Sequence, residues 1–399
     1  MPPQTLPPTD AEPSIVLSKF AGLVNTVAPE RLDPNELAVA INIDIDDRDQ
    51  IHRRRGYKRK ITGDCHSLFT ANDGTTYGVV NNNLCIIRPN YSTVVLKAGL
   101  NSDPAAGLDP LCYVQVGDTI YFSSVQDSGK IVNGVVLPWG APNDAGIWIS
   151  PVVIPTPNLA PIAGRLFAKP PMATAMAYFN GRIYMACGRQ LWATELYLYD
   201  YVDKTKNYLQ FEADITMVGT VGDGIYAGTD EGLWFLAGPA FPLKRTRIMD
   251  SAVIRGSMVD IPAELANPPQ VPADADTPVK VSISFLTENG FCVGQDSGNA
   301  TNFTEDKFIF PAMVRAAAFY RRQDGMNQYV VVGDSNGSPL SNARFGNYVD
   351  PALARAVDGA NPSLEGLTCF EEWEAVVAKL VPEQVTVGEE YIATLIPAG

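Results

Sequence analysis

The chain has 399 residues, of which 46% are hydrophobic and 19% are charged, and its formal net charge is −14. The chain contains only two histidines, His52 and His66. Any histidine-based catalytic triad, dyad or metal site would therefore have to use one of them. The acidic balance argues against tight binding to a phosphate backbone, because that mode of binding needs clustered cations. The 33 glycines and 31 prolines favour many turns over long helices.

The cysteines and the hydrophobic runs predict where the protein folds. The six cysteines form no C-x-x-C pair, and free thiols are expected for those within apolar runs such as residues 84–87. The N-terminus has no basic segment followed by an apolar run, so no secretory signal peptide is expected. No stretch approaches about 18 consecutive apolar residues, so no membrane span is expected. These features predict a protein that is made and folded in a cytoplasm.

Residues 1–14 contain five prolines and no hydrophobic periodicity. This composition predicts an extended arm, because proline-rich segments favour extended backbone and cannot build a core. Two interpretations stay open for the arm: a terminus without a partner, or a segment that a neighbouring protein holds.

Residues 15–60 form the next predicted unit, a helix-hairpin docking module. Asp33 is the predicted N-cap of a short helix, with Pro34 at the first helical position. The apolar and polar residues then alternate over residues 41–45, which predicts a half-buried strand. A second strand is predicted to begin at Ile51, after a turn rich in Asp and Arg.

The turn of this module holds Asp46, Asp47 and Asp49, close to Asp44 on the preceding strand. Clustered aspartates raise the question of calcium binding. An EF-hand loop also needs Gly at its sixth position and Glu at its twelfth, and the strand-turn-strand interpretation fits better. We therefore predict a solvated turn here, and no metal site or cofactor anywhere in the chain.

The densest basic run lies at residues 53–60, with Arg53, Arg54, Arg55, Lys58, Arg59 and Lys60. Three interpretations remain open: a solvated strand face, a phosphate contact, or pairing with an acidic surface of a partner subunit. Only Tyr57 interleaves with these cations as an aromatic residue. Sequence-specific recognition of nucleic acid is therefore not predicted.

Residues 61–350 repeat one pattern: an apolar strand, a tight turn with Gly beside Asp or Asn, and a strand containing an aromatic residue. Such turns need positive φ angles, which Gly, Asn and Asp tolerate best. Gly74 and Gly117 are 43 residues apart, as are Gly181 and Gly224, and such a period is typical of propeller blades. We predict an all-β fold, a β-propeller of five or six blades with insertions at 138–171 and 239–278. The alternative is a pair of β-sandwiches. The predicted structural residues of the blades are Gly74, Gly117, Gly181, Gly224, Trp192 and Trp234.

The composition changes after residue 350, and residues 351–399 are predicted to form a small C-terminal α/β extension. Short helices are predicted at 351–357 and within 364–380, where Phe370, Trp373, Val376 and Val377 share one apolar stripe. Residues 385–395 are predicted to be a closing strand.

Propellers also occur among glycosidases, so a catalytic interpretation needs its own test. Residues 70–77 and 229–234 only approximate the Ser-x-Asp-x-Gly-x-x-Trp turn of sialidases, and that turn is structural even there. The spacing of the carboxylates assembles no catalytic set. We therefore predict that the protein is not an enzyme and assign no catalytic residues.

The most specific pattern in the chain lies at residues 20–57. It runs through Phe20-Ala21-Gly22-Leu23-Val24-Asn25, Pro29, Leu32, Glu36-Leu37-Ala38, Ala40-Ile41-Asn42-Ile43-Asp44-Ile45 and Arg53-Arg54-Arg55-Gly56-Tyr57. This module resembles the opening of the tail hub or nozzle virion proteins of short-tailed phages, in which it precedes a β-propeller. The resemblance covers roughly the first sixty residues, and the propeller-like remainder agrees with it.

The resemblance implies a structural virion protein, a homohexameric ring or tube around the channel through which the genomic DNA leaves. It implies a place in the phage tail, with assembly in the host cytoplasm and contacts to the adaptor or portal-side ring and other tail proteins. DNA would pass without specific binding, because an acidic wall repels phosphates. The implied subunit or adaptor interface consists of Phe20, Leu23, Leu37, Arg53, Arg54, Arg55, Tyr57, Lys58 and Arg59.

Two other functions remain open at the level of sequence. The first is a tail-associated propeller that binds or hydrolyses glycans, which would need an aromatic-lined pocket with paired carboxylates at the propeller mouth. The second is a bacterial scaffold propeller without a role in a virion.

Overall fold

The computed structural model describes residues 20–40, 43–46, 48, 50–53, 59–102, 109–140, 148–149, 166–262, 281–310, 312–323, 326–334 and 390–395. Within these ranges almost all regular structure is β-sheet, beside the 3-10 helices Pro29–Arg31 and Asp296–Gly298. The predicted all-β class is confirmed. No helix in the described ranges is both long and apolar enough to cross a bilayer.

The N-terminal module contains two small sheets. Strands β1 (Gly22–Leu23) and β2 (Glu36–Leu37) pair in parallel. Strands β3 (Ile43–Ile45) and β4 (Ile51–Arg53) pair antiparallel, so the predicted hairpin is confirmed.

The helix predicted from Asp33 is wrong. The Glu36 N–H donates to the Asp33 carbonyl (2.9 Å), and the Glu36 carboxylate accepts from the Asp33 N–H (3.1 Å), which closes a single turn. The chain then extends, because Leu37 pairs with Leu23 across the parallel sheet. Tertiary strand pairing thus outweighs the local helix-start signal.

Six main sheets follow along the chain, and five of them are four-stranded antiparallel meanders in the described ranges. Sheet 1 consists of β5 (Cys65–Thr70), β6 (Thr76–Val80), β7 (Asn83–Ile87) and β8 (Thr93–Lys97). Sheet 2 consists of β9 (Cys112–Val116), β10 (Thr119–Ser123), β11 (Ser128–Val132) and β12 (Val135–Leu137).

Sheet 3 carries a smaller sheet beside it. The smaller sheet consists of β13 (Trp148–Ile149), β14 (Leu166–Ala168) and β18 (Val202–Asp203). Sheet 3 itself consists of β15 (Ala175–Phe179), β16 (Arg182–Cys187), β17 (Gln190–Ala193) and β19 (Tyr208–Gln210). The predicted insertion at 138–171 therefore contributes β13 and β14 to the small sheet.

Sheets 4 to 6 complete the series. Sheet 4 consists of β20 (Ile215–Val221), β21 (Gly224–Thr229), β22 (Gly232–Ala237) and β23 (Lys244–Met249). Sheet 5 consists of β24 (Val259–Pro262), β25 (Val281–Thr287), β26 (Gly290–Gly294) and β27 (Ala300–Asn302). The described strands of sheet 6 are β28 (Arg315–Gln323), β29 (Met326–Asp334) and β30 (Glu390–Leu395).

Two predicted boundaries need correction. The expected insertion at 239–278 contains β23 and β24, which are regular strands of sheets 4 and 5. Strand β23 lies at the edge of its sheet, and its exposed Lys-Arg-Thr-Arg run lacks the alternation that marks a half-buried strand. Strand β30, within the predicted C-terminal extension, pairs with β29 as part of sheet 6. The helices predicted at 351–357 and 364–380 lie outside the described residues.

The sheets pack face to face in chain order, and each successive pair shares an apolar cluster. The five clusters are centred on Phe122 (sheets 1 and 2), Met185 (2 and 3), Ile225 (3 and 4), Phe285 (4 and 5) and Tyr329 (5 and 6). The innermost strands β9, β15 and β20 also lie side by side. This serial packing of meander sheets is propeller-like.

The predicted turn glycines divide into two groups. Gly74, Gly117 and Gly181 have φ of +83°, +58° and +74°, which a residue with a Cβ adopts only with strain. Gly224 does not have a positive φ, so the reason predicted for a glycine at this position is wrong. A Cβ there would overlap the Phe235 ring and lie 2.7 Å from the Leu236 carbonyl oxygen, so the site requires space and not a special φ.

Candidate functional site

The N-terminal module, which contains the predicted interface, is anchored on its own chain. Asn25 donates from its backbone N–H to the Lys307 carbonyl (2.9 Å) and from Nδ2 to the Ile309 carbonyl (2.9 Å). Its Oδ1 accepts from the Ile309 N–H (2.7 Å), and the Thr26 hydroxyl donates to the Asp306 carbonyl (2.7 Å). These bonds fix the module to the connection between β27 and β28.

A buried ion pair holds the hairpin of the module against sheet 6. Arg321 on β28 donates to Asp44 on β3 at 3.1 Å, and their side chains are 15% and 4% exposed. Tyr320 packs towards sheet 5, so its neighbour Arg321 points to the opposite face of β28. The module therefore covers the face of sheet 6 that does not contact sheet 5.

The structure brings only part of the predicted interface together. Leu23 and Leu37 are cross-strand neighbours and, like Phe20, are half-buried. Arg53 is exposed, and Arg59 is exposed while donating to the carbonyls of Ile61 and Gly63. Arg54, Arg55, Tyr57 and Lys58 lie outside the described residues.

The aspartate-rich turn of the hairpin is organised by Asp46. Its carboxylate accepts from the backbone N–H groups of Gln50 (2.8 Å) and Arg48 (2.9 Å), and Oδ2 lies 2.8 Å from His52 Nε2. The bond from the Gln50 N–H holds the pKa of Asp46 below its ordinary value of 3.8, and His52 adds to this. Within the described ranges no group of three His, Cys, Asp or Glu side chains is placed to hold a metal ion.

The lowered pKa of Asp46 predicts a pH dependence for this turn. Its contribution to stability is fully present above the unfolded-state pKa, and it is lost as the pH falls through the lower folded-state pKa. An NMR titration should place the Asp46 carboxyl pKa below 3.8. The amide shifts of Arg48 and Gln50 should titrate with it, and Asp46→Asn should abolish that response. An Asp46 pKa at or above its ordinary value would contradict the prediction.

The two predicted blade tryptophans lie on strands between sheets. Trp192 on β17 packs against Tyr208 of β19, with 5.1 Å between ring centroids and the rings tilted by 37°. Trp234 on β22 packs edge-on against Phe211 at 6.0 Å. Both are half-buried, and their role as structural residues of the blades stays a prediction.

Sheet 3 carries a tyrosine-rich surface that was not predicted from the sequence. A long loop and the small sheet are added to the regular meander there. The loop at 194–207 joins β17 to β19 and contributes β18 to the small sheet. Trp139 Nε1 donates to the Tyr199 carbonyl (2.9 Å), and Lys130 Nζ binds Asp200 at 2.7 Å. The insertion after β12 and the long loop therefore converge on one place.

We define the tyrosine platform as the exposed side chains of Tyr178, Leu196 and Tyr197 together with the half-buried Tyr199. Leu196 and Tyr197 lie over the Gly181 turn, where an added Cβ would approach them to 2.9 and 2.8 Å. The rings of Tyr178 and Tyr199 meet edge-on at 6.0 Å, with their hydroxyls 3.5 Å apart. Burial, with the Tyr178 hydrogen bond, raises the pKa of Tyr199 to about 12, so this phenol stays neutral at physiological pH.

Tyr197 is held in a costly conformation. Its φ is +58°, and left-handed backbone costs about 1–2 kcal/mol for a residue with a Cβ. Its N–H donates to the Gly181 carbonyl (2.8 Å), which fixes the turn. The side chain is nevertheless 69% exposed, so its packing within the chain offsets little of this conformational free energy. Strained backbone of this kind concentrates at functional surfaces.

A second surface missed from the sequence is β23, the edge strand of sheet 4. Lys244, Arg245 and Arg247 are all exposed on it. The Arg245 guanidinium lies 5.3 Å from the Phe211 ring and 5.7 Å from the Trp234 ring, and Arg247 lies 5.6 Å from Trp234. The sequence shows three cations within four residues of an acidic chain, but the proximity of Trp234 depends on the pairing of β22 with β23.

No protein-family model and no curated protein matches the chain. Among solved structures, it is similar to the extracellular domain of a hybrid two-component system from B. thetaiotaomicron (TM-score 0.41, 12% identity, 67% of this chain and 30% of that one). The chain thus spans less than a third of that protein's length.

Two further solved structures are similar at the same level. They are the WD40 domain of Neurospora crassa Pan2 (TM-score 0.36, 10% identity, 67% of this chain and 75% of that one) and the N-terminal domain of Nup159 (0.36, 9%, 68% and 73%). Likenesses this weak carry no argument about function. The propeller-like architecture rests on the strand order and the serial core clusters of this chain itself.

Proposed function

We propose that the chain is a structural virion protein of a short-tailed phage, a tail nozzle or hub subunit whose six main sheets are the blades of a propeller. The observation that carries this proposal is the order of elements. The module with Phe20-Ala21-Gly22-Leu23 and Arg53-Arg54-Arg55-Gly56-Tyr57 comes first and the propeller-like series follows. In the proposal, six copies form a ring or tube around the DNA exit channel and contact the adaptor or portal-side ring and other tail proteins.

The proposed channel lies between subunits and not along the axis of one propeller. Arg255, in the connection from sheet 4 to sheet 5, donates to Asp109, in the connection from sheet 1 to sheet 2, at 3.0 Å. These connections are three sheets apart in the series, and in the proposed six-bladed propeller they face each other across its axis. An ion pair across the axis leaves no passage for a duplex there, so a ring of subunits has to supply the channel.

The distribution of charge supports a wall that DNA passes without binding. In a propeller, the connections after the second and fourth strands of each sheet emerge at one end. The described connections of this kind hold ten acidic residues and four basic ones: Asp109, Asp127, Glu212, Asp214, Asp230, Glu231, Asp250, Glu288, Glu305 and Asp306 against Lys169, Arg189, Arg255 and Lys307. An acidic end repels phosphates and keeps a moving duplex from adhering.

The glycan-binding or glycan-hydrolysing alternative has less support. It requires a free carboxylate pair beside aromatic rings, and the tyrosine platform has Asp200 and Glu195 in its loop. Asp200 binds Lys130 at 2.7 Å, and Glu195 lies 3.8 Å from Arg182 while accepting from Asn207 (2.9 Å). Both carboxylates are thus engaged by residues of their own chain, which leaves this alternative without a supporting observation.

Electron cryo-microscopy of the purified protein and of virions tests the proposed function. We expect a closed sixfold ring with an axial channel, located in the tail between the adaptor and the tip. Mass spectrometry of purified virions should detect the chain as a stoichiometric component. A protein that stays monomeric at all concentrations and is absent from virions would contradict the proposal, and trimers that bind a glycan array would favour the alternative.

A further inference from the structure

We propose that the tyrosine platform of one subunit docks on strand β23 of the next copy, and that this contact builds the ring. The inference rests on the proposed function, because it assigns the contact that joins the proposed subunits. The platform lies on sheet 3 and β23 is the outer strand of the neighbouring sheet 4, so the two surfaces are different. A contact between two different surfaces is heterologous, and heterologous contacts close into rings or continue as tubes.

The platform has the composition of an interface centre. Tyr178, Leu196 and Tyr197 are exposed large side chains within one small area of sheet 3. Tyrosine offers a large, rigid and amphipathic surface at low entropic cost, and it is enriched among the residues that dominate binding energy. Tyr197 has a positive φ, which glycine or asparagine would adopt with less strain, yet the position carries a large exposed ring.

Strand β23 offers the chemistry that suits such rings. Arg245 and Arg247 lie over the Trp234 ring, and both also have polar partners in the chain. Arg245 donates to the Gln210 carbonyl, and Arg247 pairs with Asp250 (2.5 Å). The strand therefore presents the exposed Lys244, two guanidinium groups and an indole together. Guanidinium and ammonium groups bind the faces of tyrosine rings by cation–π attraction. In the described part of the chain, β23 is the last strand of sheet 4, and no strand pairs with its outer edge. A partner can therefore approach both its side chains and its backbone.

The charge of the chain favours a second copy as the partner. At a net charge of −14, copies repel one another unless they meet through locally cationic surface. Among the outer strands described for sheets 1 to 5, β23 alone carries three cations. The platform is at the end of sheet 3 that holds the Gly181 turn, away from the acidic connections. The platform therefore does not face the acidic end, whereas Arg247 of β23 pairs with Asp250 (2.5 Å) at that end.

Two variants, each lacking one surface, test the contact. Tyr197→Gly removes the ring and relieves the left-handed backbone, so the fold should be retained. Lys244→Glu with Arg245→Glu reverses the charge of β23. We expect each variant alone to weaken assembly by at least about tenfold in concentration, measured by mass photometry and analytical ultracentrifugation. An equimolar mixture of the two variants should form heterodimers and nothing larger. The Tyr197→Gly variant keeps only its β23 surface and the charge-reversed variant keeps only its platform, so each pair of copies can make a single contact.

Matched controls separate this contact from general effects. Tyr91→Gly removes another exposed tyrosine with positive φ (+65°) on sheet 1, outside the platform, and should assemble like the wild type. Arg88→Glu with Arg189→Glu makes the same change in net charge elsewhere and should also assemble. Circular dichroism melting of every variant shows that the fold is kept.

The outcomes distinguish this inference from the proposed function. If the wild type and both variants all form rings, the docking inference is wrong while the proposed function stands. A wild type that remains monomeric and is missing from virions would overturn the proposed function and the inference with it. Rings that survive Tyr197→Gly while binding to a glycan array is lost would assign the platform to a glycan. If the β23 variant still forms rings but loses binding to DNA, the cations of β23 contact phosphates and not a second copy.

Discussion

Replacing Asp44 by Ala should release the N-terminal module from sheet 6. The change removes a carboxylate that is 4% exposed and lies 3.1 Å from a guanidinium that is itself largely buried. Breaking a buried ion pair from one side typically costs about 3–5 kcal/mol, because the remaining charge loses its compensation. We expect hydrogen exchange of Ile43 and Ile45 to accelerate by the corresponding factor. Limited proteolysis should cut between the module and sheet 1.

A double substitution shows whether the pair serves stability or specificity. Asp44→Leu with Arg321→Met replaces both charges by apolar side chains of similar size, and such replacements are often neutral or stabilising. We expect the double variant to restore protection of the module, unlike Asp44→Ala. Protection of the β3–β4 hairpin that stays within about 0.5 kcal/mol of wild type in Asp44→Ala would contradict the docking role.

The parts of the fold that the sequence predicted are those with a local signal. The β3–β4 hairpin follows from the alternation at residues 41–45, and the positive φ of Gly74, Gly117 and Gly181 follows from their Asp or Asn neighbours. The helix at Asp33 failed because Leu37 finds a strand partner, Leu23, fourteen residues away. A cap signal states only a local preference, and tertiary pairing can exceed it.

Edge strands and distant contacts lacked a local signal. Strand β23 has no buried face over its first four residues, so no hydrophobic period marks it. The Asp109–Arg255 pair joins residues 146 apart, which no pattern in a single sequence discloses. Gly224 was identified as a glycine position for the wrong reason, since the approach of Phe235 and Leu236 depends on the register of β21 and β22.

The tyrosine platform could have been found from the sequence in part. Residues 196–201 read Leu-Tyr-Leu-Tyr-Asp-Tyr in the longest described connection within one main sheet, and three tyrosines in such a loop are a recognisable signal. The left-handed φ of Tyr197 was not predictable, because bulky residues rarely adopt it. The contribution of Tyr178 needed the fold, since only packing brings β15 against the loop.

Gly256→Ala should be among the most damaging single substitutions in the connections between sheets. Gly256 lies where the chain passes from sheet 4 to sheet 5, with φ +79°, and an added Cβ would overlap the backbone carbonyl oxygen of Ala316 on β28. The left-handed backbone costs about 1–2 kcal/mol for alanine, and overpacking adds typically about 1–3. We therefore expect the free energy of unfolding to fall by about 2–5 kcal/mol, measured by denaturant titration.

Gly74→Ala provides the matched control, because it isolates the backbone part of that cost. Gly74 has nearly the same φ, +83°, but an added Cβ would meet no atom within 4 Å. It should lose only about 1–2 kcal/mol, since solvent fills the space beside it. The difference between the two variants measures how tightly the 4–5 connection abuts sheet 6, where the Ala316 N–H donates to the Arg255 carbonyl at 2.7 Å. Equal losses in both variants would mean that this junction yields, because the Ala316 carbonyl would then move aside to admit the added Cβ.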